Sequence, residues 1–179
     1  MKIDSAGSMS ERSENMSDLI EKINANPHLY RGKGCTDEQL AAAQEALGMT
    51  FPPEYIAYVR AFGCIECNAH EWAGLGFSQH TGNEISGAFN VVNLTQRERE
   101  INDDFPPKML VLENACIDGI LITVDEAGAV YQVQYETCRK LFDSISAYLD
   151  WCMLPDEELT QQRSDGDQDA AFIFRHNGR

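Results

Sequence analysis

The chain has 179 residues, of which 43% are hydrophobic and 24% are charged, so it suits one compact domain rather than two. Its 29 acidic residues and 14 Lys and Arg residues give a net charge of −15, which disfavours nucleic acid and anionic membranes and favours a basic protein partner. The chain has no run of about twenty apolar residues that could form a membrane helix, and its first ten residues contain no apolar secretion signal, so we expect a soluble, cytoplasmic protein. Its six cysteines form no dense framework, so we expect them to be free thiols.

The N-terminal segment predicts an arm followed by a helix. Residues 1–15 are polar and rich in Ser, and we expect them to form a flexible arm because they cannot bury enough apolar surface to become ordered. Ser17 is a candidate N-cap for a helix that should end before Pro27. The residues that share the apolar face of this helix are Leu19, Ile20 and Ile23.

Two further helices follow with clear start and stop signals. Thr36 and Gln39 form a capping box, and Gly48 supplies the left-handed residue that ends the second helix. Pro52 and Pro53 suit the first positions of a third helix, which should end at Gly63. Because a short turn joins these two helices, the pattern predicts an αα-hairpin.

The central region predicts loops, one strand, another strand and a short helix. Between residues 63 and 87 Gly, Asn, His and Ser become frequent, which indicates loops with one short strand at 72–77. A second capping box, formed by Thr95 and Glu98, predicts a helix through Ile101. The residues that predict a strand just before it are Phe89, Val91 and Val92.

The C-terminal third predicts a sheet and a closing helix. Residues 109–112, 120–124 and 129–135 are β-rich runs, with a tight turn at 125–128, and they favour an antiparallel sheet. A final helix begins after Asp143 or Ser144 as its cap. The residues that recur at helical spacing on its face are Phe142, Ile145, Tyr148, Leu149 and Cys152.

Helices first, strands next and a closing helix predict an α+β fold, with an N-terminal helical hairpin and a C-terminal helix packed on a mainly antiparallel sheet. Residues 16–154 form the predicted single domain. Residues 155–179 are acidic and poor in apolar groups, so we interpret them as a solvated tail prone to disorder.

One cluster of residues suggests a metal site. Cys64, Cys67 and His70, followed by His80, offer thiolate and imidazole ligands that could bind zinc from one loop. A structural zinc site normally shows two paired ligand motifs, and here the second pair is a single His. The alternative, which we favour, is a half-buried loop with free thiols.

No motif predicts catalysis. The chain has no Gly-rich phosphate loop, serine elbow or paired-histidine metalloprotease motif. Acidic residues such as Asp118 and Asp125 could bind a divalent cation, but they are more typical of turns and helix caps. Trp72 has two interpretations, an exposed recognition anchor or a core residue, and its residue type favours the core.

Taken in chain order, five short motifs resemble the SUKH superfamily (the Smi/Knr-type family). Each motif is unspecific alone, but five in the same order and spacing are hard to produce by chance, and the resemblance spans about residues 28–153. The matching stretches are Thr36-Asp37-Glu38-Gln39-Leu40 through Leu47-Gly48 to Pro52-Pro53-Glu54-Tyr55; Glu71-Trp72-Ala73-Gly74-Leu75-Gly76; Asn90-Val91-Val92 with Thr95 and Arg97 or Arg99; Leu110-Val111-Leu112-Glu113 with Asp118-Gly119; and the helix over 141–149.

This resemblance implies an α+β immunity protein that binds and neutralises the cognate toxin of a bacterial polymorphic or contact-dependent inhibition system, often a nuclease, without catalysis or a cofactor. The partner is then a toxin domain with a basic surface. A scaffold or regulatory module of the same superfamily is the alternative, followed by a small zinc protein. Residues 115–117 depart from the family pattern. The candidate toxin contacts are Glu66, Glu71 and Trp72 in the central loop and Asp118, Asp125 and Glu126 at the sheet turns.

Overall fold

The structure is a computed structural model that describes residues 9–116 and 118–155. Within these residues the helices are α1 (Met9–Ala25), α2 (Asp37–Leu47), α3 (Pro53–Phe62), α4 (Val91–Ile101) and α5 (Ile145–Cys152), and the strands are β1 (Tyr30–Arg31), β2 (Ile65–Cys67), β3 (His70–Trp72), β4 (Met109–Asn114), β5 (Leu121–Asp125), β6 (Val130–Gln134) and β7 (Thr137–Phe142). The predicted α+β class is confirmed. None of the helices in this part of the chain combines the length and the apolarity needed to cross a membrane.

The strands form two antiparallel sheets where the sequence predicts one. β1, β2 and β3 make a three-stranded sheet, and β4, β5, β6 and β7 make a four-stranded sheet in sequential order. The two sheets meet where the backbone N–H of Ala73 donates to the carbonyl of Leu112 (2.6 Å). This junction places β3 beside β4, so the small sheet continues the surface of the large one.

The helix signals in the sequence act as predicted. The capping box of Thr36 and Gln39 is formed, and Gly48 ends α2 with a φ of 61°. Pro53 is the first residue of α3. The hydroxyl of Ser144 accepts the backbone N–H of Ala147 (3.1 Å) and caps α5. Each of these signals depends on contacts within one turn of chain, which is why the local sequence contains them.

In the N-terminal region one prediction needs correction and another is not fully confirmed. α1 begins at Met9, inside the predicted arm of residues 1–15 and before the predicted cap Ser17. A helix whose apolar face is buried can extend into a polar segment at little cost, because each added residue gains a hydrogen bond. α3 packs chiefly against α1 rather than α2, so the αα-hairpin is not shown. Residues 1–8 and nearly all of the predicted tail, 156–179, lie outside the described residues.

The strand predicted at Phe89, Val91 and Val92 is wrong. Phe89 ends a single 3-10 turn, and both valines lie in the first turn of α4. The Asn90 side chain determines this start, because its Oδ1 accepts the backbone N–H of Val92 (3.0 Å) and of Asn93 (3.1 Å). Two adjacent β-branched residues favour a strand only where no such cap precedes them.

The second capping box is also wrong. Thr95 and Glu98 are buried in the middle of α4 rather than at its start. The hydroxyl of Thr95 accepts the backbone N–H of Val111 (2.9 Å). This bond fixes α4 on the edge of β4, so the polar residue type serves packing between elements instead of helix initiation.

Two strands differ from the sequence pattern. The strand predicted at 72–77 is shorter and earlier, since β3 ends at Trp72, and Phe77 makes only isolated bridges. β7 has no counterpart among the predicted strands. Phe142, predicted on the final helix, is the last residue of β7, and Tyr135, predicted at the end of a strand, lies in the turn before it.

A chain of aromatic rings connects α3, β3 and α5 in the core. Trp72 stacks on Tyr148 with ring centroids 5.5 Å apart and packs edge-on against Tyr58 (5.7 Å). The hydroxyl of Tyr58 donates to the carbonyl of Trp72 (3.1 Å), and that of Tyr55 donates to the carbonyl of Ala73 (2.9 Å). The Trp72 side chain is completely buried, as the core interpretation predicts. Helices α3 and α5 therefore both pack against the inward-facing side chain of β3.

Candidate binding surface

The hairpin formed by β2 and β3 presents two carboxylates to solvent. Its strands pair with Cys67 opposite His70 across a two-residue turn, in which Asn68 takes a φ of 53°. Alternation along the strands turns four side chains toward the core and leaves Glu66 and Glu71 outside, directly opposite each other. The four inward residues are Ile65, Cys67, His70 and Trp72.

The two carboxylates repel each other. The pKa of Glu71 is raised, first by partial burial of its carboxyl in the sheet surface and then by the charges of Glu66 and Glu113. Within the described residues, no Lys or Arg lies within ion-pair distance of Glu66 or Glu71. Like charges directly opposite on a sheet destabilise it. The pair therefore opposes folding, and folding alone does not explain it.

A groove of about 420 Å³ lies beside this face. β1 places Tyr30 opposite Glu66, and the Tyr30 ring stacks on the ring of His80 with centroids 5.1 Å apart. Glu84 and Phe89 line the groove from the segment that precedes α4. Two carboxylates together with aromatic faces can bind a Lys or Arg side chain by ion pairing and by cation–π contact.

A buried polar network holds the hairpin from below. The carboxylate of Glu113 contacts Nδ1 of His70 (2.8 Å) through Oε1 and accepts the hydroxyl of Tyr148 (2.5 Å) through Oε2. The amide of Asn68 also donates to the carbonyl of Cys152 (2.7 Å). Because the His70 and Glu113 side chains are 2% and 5% exposed, the network is closed to a substrate. It fixes the hairpin to β4 and α5.

The structure does not support the zinc hypothesis. Among residues 9–116 and 118–155, no three Cys, His, Asp or Glu side chains are placed so that they could hold a metal ion. Cys67 points to the carbonyl of Cys152 and His70 contacts Glu113, whereas Cys64 and His80 line the groove. The pKa of Cys64 is raised to about 11 by burial and by the charge of Glu66, which disfavours the thiolate that zinc needs.

The predicted contacts at the sheet turns lie apart from the hairpin. Asp125 stabilises its own turn, since its Oδ1 accepts three backbone N–H groups at 2.9 Å and its Oδ2 accepts the hydroxyl of Tyr131 (3.0 Å). Glu126, in the same turn, accepts the backbone N–H of Thr50 (3.0 Å). Asp118 is exposed in the loop between β4 and β5, at the opposite end of the sheet.

The six predicted contact residues thus occupy different places. Glu66 and Glu71 lie together on the hairpin, and the three acidic residues of the turns lie at the two ends of the large sheet. Trp72 lies in the core, where its side chain is completely buried and cannot contact a partner. Tyr30 and His80, which line the groove, are not among the predicted toxin contacts. The alternation of apolar and acidic residues around Asn68 could have indicated the hairpin from the sequence. No local sequence pattern connects Tyr30 with His80, which are fifty positions apart.

Comparison with known families gives one finding. The model of the SMI1 / KNR4 family (SUKH-1) matches residues 34–151, a stretch that runs from the capped start of α2 to the last turn of α5 and includes the β2–β3 hairpin. No curated protein matches the chain.

Proposed function

The chain belongs to the SMI1 / KNR4 family (SUKH-1), and from that membership we propose that it is an immunity protein that binds and neutralises a cognate bacterial toxin. The family suggests an immunity-type protein; the toxin and the mode of binding are our proposal. The protein acts by occupying the toxin in a stoichiometric complex, without making or breaking bonds. It works in the cytoplasm, where a nuclease toxin would meet its substrate.

The observation that carries this proposal is the unpaired, outward-facing pair Glu66 and Glu71 beside the groove. Its mutual repulsion opposes folding, so its presence is better explained by a partner of opposite charge. A nuclease toxin must have a cationic surface to bind the phosphate backbone. The hairpin would occupy that surface, and the groove would take a Lys or Arg side chain between Glu66 and Glu84.

The net charge of −15 would act on the rate of association. Complementary potentials raise association rates by about 10- to 1000-fold at low ionic strength. A few desolvated contacts would then determine how long the complex lasts. A change of charge on the hairpin should therefore alter the association rate more than the dissociation rate, and this difference can be tested.

The first test is protection in cells. A toxin domain from a gene that neighbours this one is expressed with and without the protein, and we expect cells that express the toxin to grow only when the protein is also present. Continued killing at saturating expression of the protein would contradict the immunity function and would leave the scaffold alternative.

The second test measures association of the purified pair. The double variant Glu66→Gln with Glu71→Gln should lower the association rate by about tenfold in low salt, and the difference should shrink at high salt because charges are then screened. Glu38→Gln with Glu45→Gln is the matched control, since it removes two exposed charges from α2, away from the hairpin. Equal effects of the two double variants would refute the role of the hairpin.

A further inference from the structure

A second surface, at the turn between β6 and β7, carries the two large hydrophobic side chains that are most exposed in the described part of the chain. Ile101 is 67% exposed and Tyr135 is 64% exposed. The amide of Asn102 donates to the carbonyl of Tyr135 (3.1 Å), so the end of α4 adjoins the turn. Two exposed apolar residues, one at the end of α4 and one in the turn, therefore flank this hydrogen bond.

The backbone at Tyr135 is unfavourable for its residue type. Gln134 pairs with Thr137, so Tyr135 and Glu136 form a two-residue turn, and Tyr135 has a φ of 51°. Turns of this length favour Gly or Asn where φ is positive, and a bulky residue in that region is strained. An exposed ring contributes little burial in return. The positive φ thus costs energy that burial of the ring does not offset.

The ring is held in a defined position. Gly119 has a φ of 72°, and a β-carbon added there would lie 3.4 Å from Cζ of Tyr135, so the ring covers the space that the glycine leaves. The amide of Gln134 donates to the carbonyl of Asp118 (3.1 Å) and holds the loop against the turn. A ring ordered before binding loses little entropy when a partner covers it.

The charges around the turn identify the kind of partner. Asp118 precedes Gly119 beneath the ring, Glu136 follows Tyr135 in the turn, and Asp103 follows the Asn102 that contacts it; all three acids are exposed. An exposed aromatic ring in a turn whose adjoining segments carry exposed carboxylates is complementary to a Lys- or Arg-rich protein surface, because cations bind both to the ring face and to carboxylates.

We propose that Tyr135, together with Ile101, is a preformed aromatic anchor for a basic protein surface, and that this surface belongs to the toxin domain. This inference rests on the proposed function and adds a second contact region, separate from the hairpin. The occupant binds Tyr135 as a central, buried contact, and the surrounding carboxylates exclude partners of the wrong charge.

The test uses the purified full chain and the toxin domain encoded next to its gene. Tyr135→Asn should weaken binding at least about tenfold, mainly through faster dissociation. It should also raise the Tm by about 2 to 4 °C, because Asn tolerates a positive φ. Tyr135→Phe keeps the ring and should bind within about threefold of the original protein. Thr137→Asn, an exposed change two residues away, is the control and should alter neither property.

The outcomes separate the two proposals. If the original protein binds the toxin domain and Tyr135→Asn binds it equally well, the anchor is refuted and the immunity function stands. If Tyr135→Asn lowers the Tm, the side chain serves the fold, which also refutes the anchor. If the original protein neither binds nor protects, the proposed function fails, although the predicted rise in Tm can still be measured.

Discussion

Removal of one hydroxyl tests the buried network that supports the β2–β3 hairpin. The hydroxyl of Tyr148 donates to Oε2 of Glu113 at 2.5 Å, and both side chains are almost completely buried. Tyr148→Phe removes this donor and keeps the ring, which stays stacked on Trp72. The change therefore isolates the hydrogen bond from the packing.

The magnitude follows from what remains around the carboxylate. Oε1 of Glu113 keeps His70, but no donor replaces the hydroxyl at Oε2. A hydrogen bond to a charged group contributes about 1.5 to 3 kcal/mol, and a buried acceptor without a partner adds a desolvation cost. Because no cavity forms, we expect Tyr148→Phe to lower the free energy of unfolding by about 2 to 3 kcal/mol.

Tyr131→Phe is the matched control for this prediction. The hydroxyl of Tyr131 also donates to a carboxylate, Oδ2 of Asp125 (3.0 Å), but this pair is half exposed. Water can replace the lost donor there, so the loss should stay below about 1 kcal/mol. Urea unfolding at pH 7, followed by tryptophan fluorescence, measures both variants. Equal losses in the two variants, or a loss below about 0.5 kcal/mol for Tyr148→Phe, would refute the reasoning from burial.

Three further changes test the fold. Asp125→Ala removes the side-chain acceptor of three backbone N–H groups, of which the one on Gly128 keeps the backbone carbonyl of residue 125, and should lower the free energy of unfolding by about 1 to 2 kcal/mol in urea. Burial raises the pKa of Glu54 above 4.5, so the folded state binds the proton of this carboxyl more tightly than the unfolded state does. Stability should therefore fall as pH rises from 4.5 through the raised pKa. Glu54→Gln, whose amide oxygen can still cap α5, should remove this pH dependence from a series of Tm measurements between acidic and neutral pH. Gly74→Ala would place a β-carbon 1.6 Å from the carbonyl oxygen of Gly63 and should cost more than about 4 kcal/mol, whereas Gly48→Ala, with open space around it, should cost only about 1 to 2 kcal/mol by circular dichroism melts.

The sequence predicts the elements whose start depends on nearby residues. The prediction fails where contacts with distant residues determine the role of a side chain. Thr36 begins a helix because its hydroxyl accepts a backbone N–H three residues later. Thr95 has the same pattern, yet its hydroxyl accepts the N–H of Val111 on another element. Both residues satisfy the same local rule. They differ because Asn90 already caps α4, so that Thr95 lies inside the helix, and because α4 packs against β4, a contact that no window of sequence contains.

The proposed binding surface could be predicted from the sequence only in part, for the same reason. Glu66 and Glu71 could be assigned together from the alternation of apolar and polar residues around Asn68, which needs only the eight residues 65–72. The groove could not be predicted from the sequence, because Tyr30 lies beside Glu66 only through the pairing of two strands that are distant in sequence. Tyr135 carries no sequence signal of exposure, since its run of residues resembles the buried strands before it.

The alternation of the hairpin separates stability from recognition. His70 on its inner side joins the network that fixes the hairpin to the core, whereas Glu66 and Glu71 on its outer side contribute repulsion. Substitution of an outer carboxylate by an amide should therefore preserve or increase stability while it slows association with a basic partner. A loss of His70 or of Tyr148 should do the reverse: it should lower stability because the buried network is broken, while the outer carboxylates, whose charge drives association, remain. The two classes of variant thus predict opposite orders of melting temperature and of association rate.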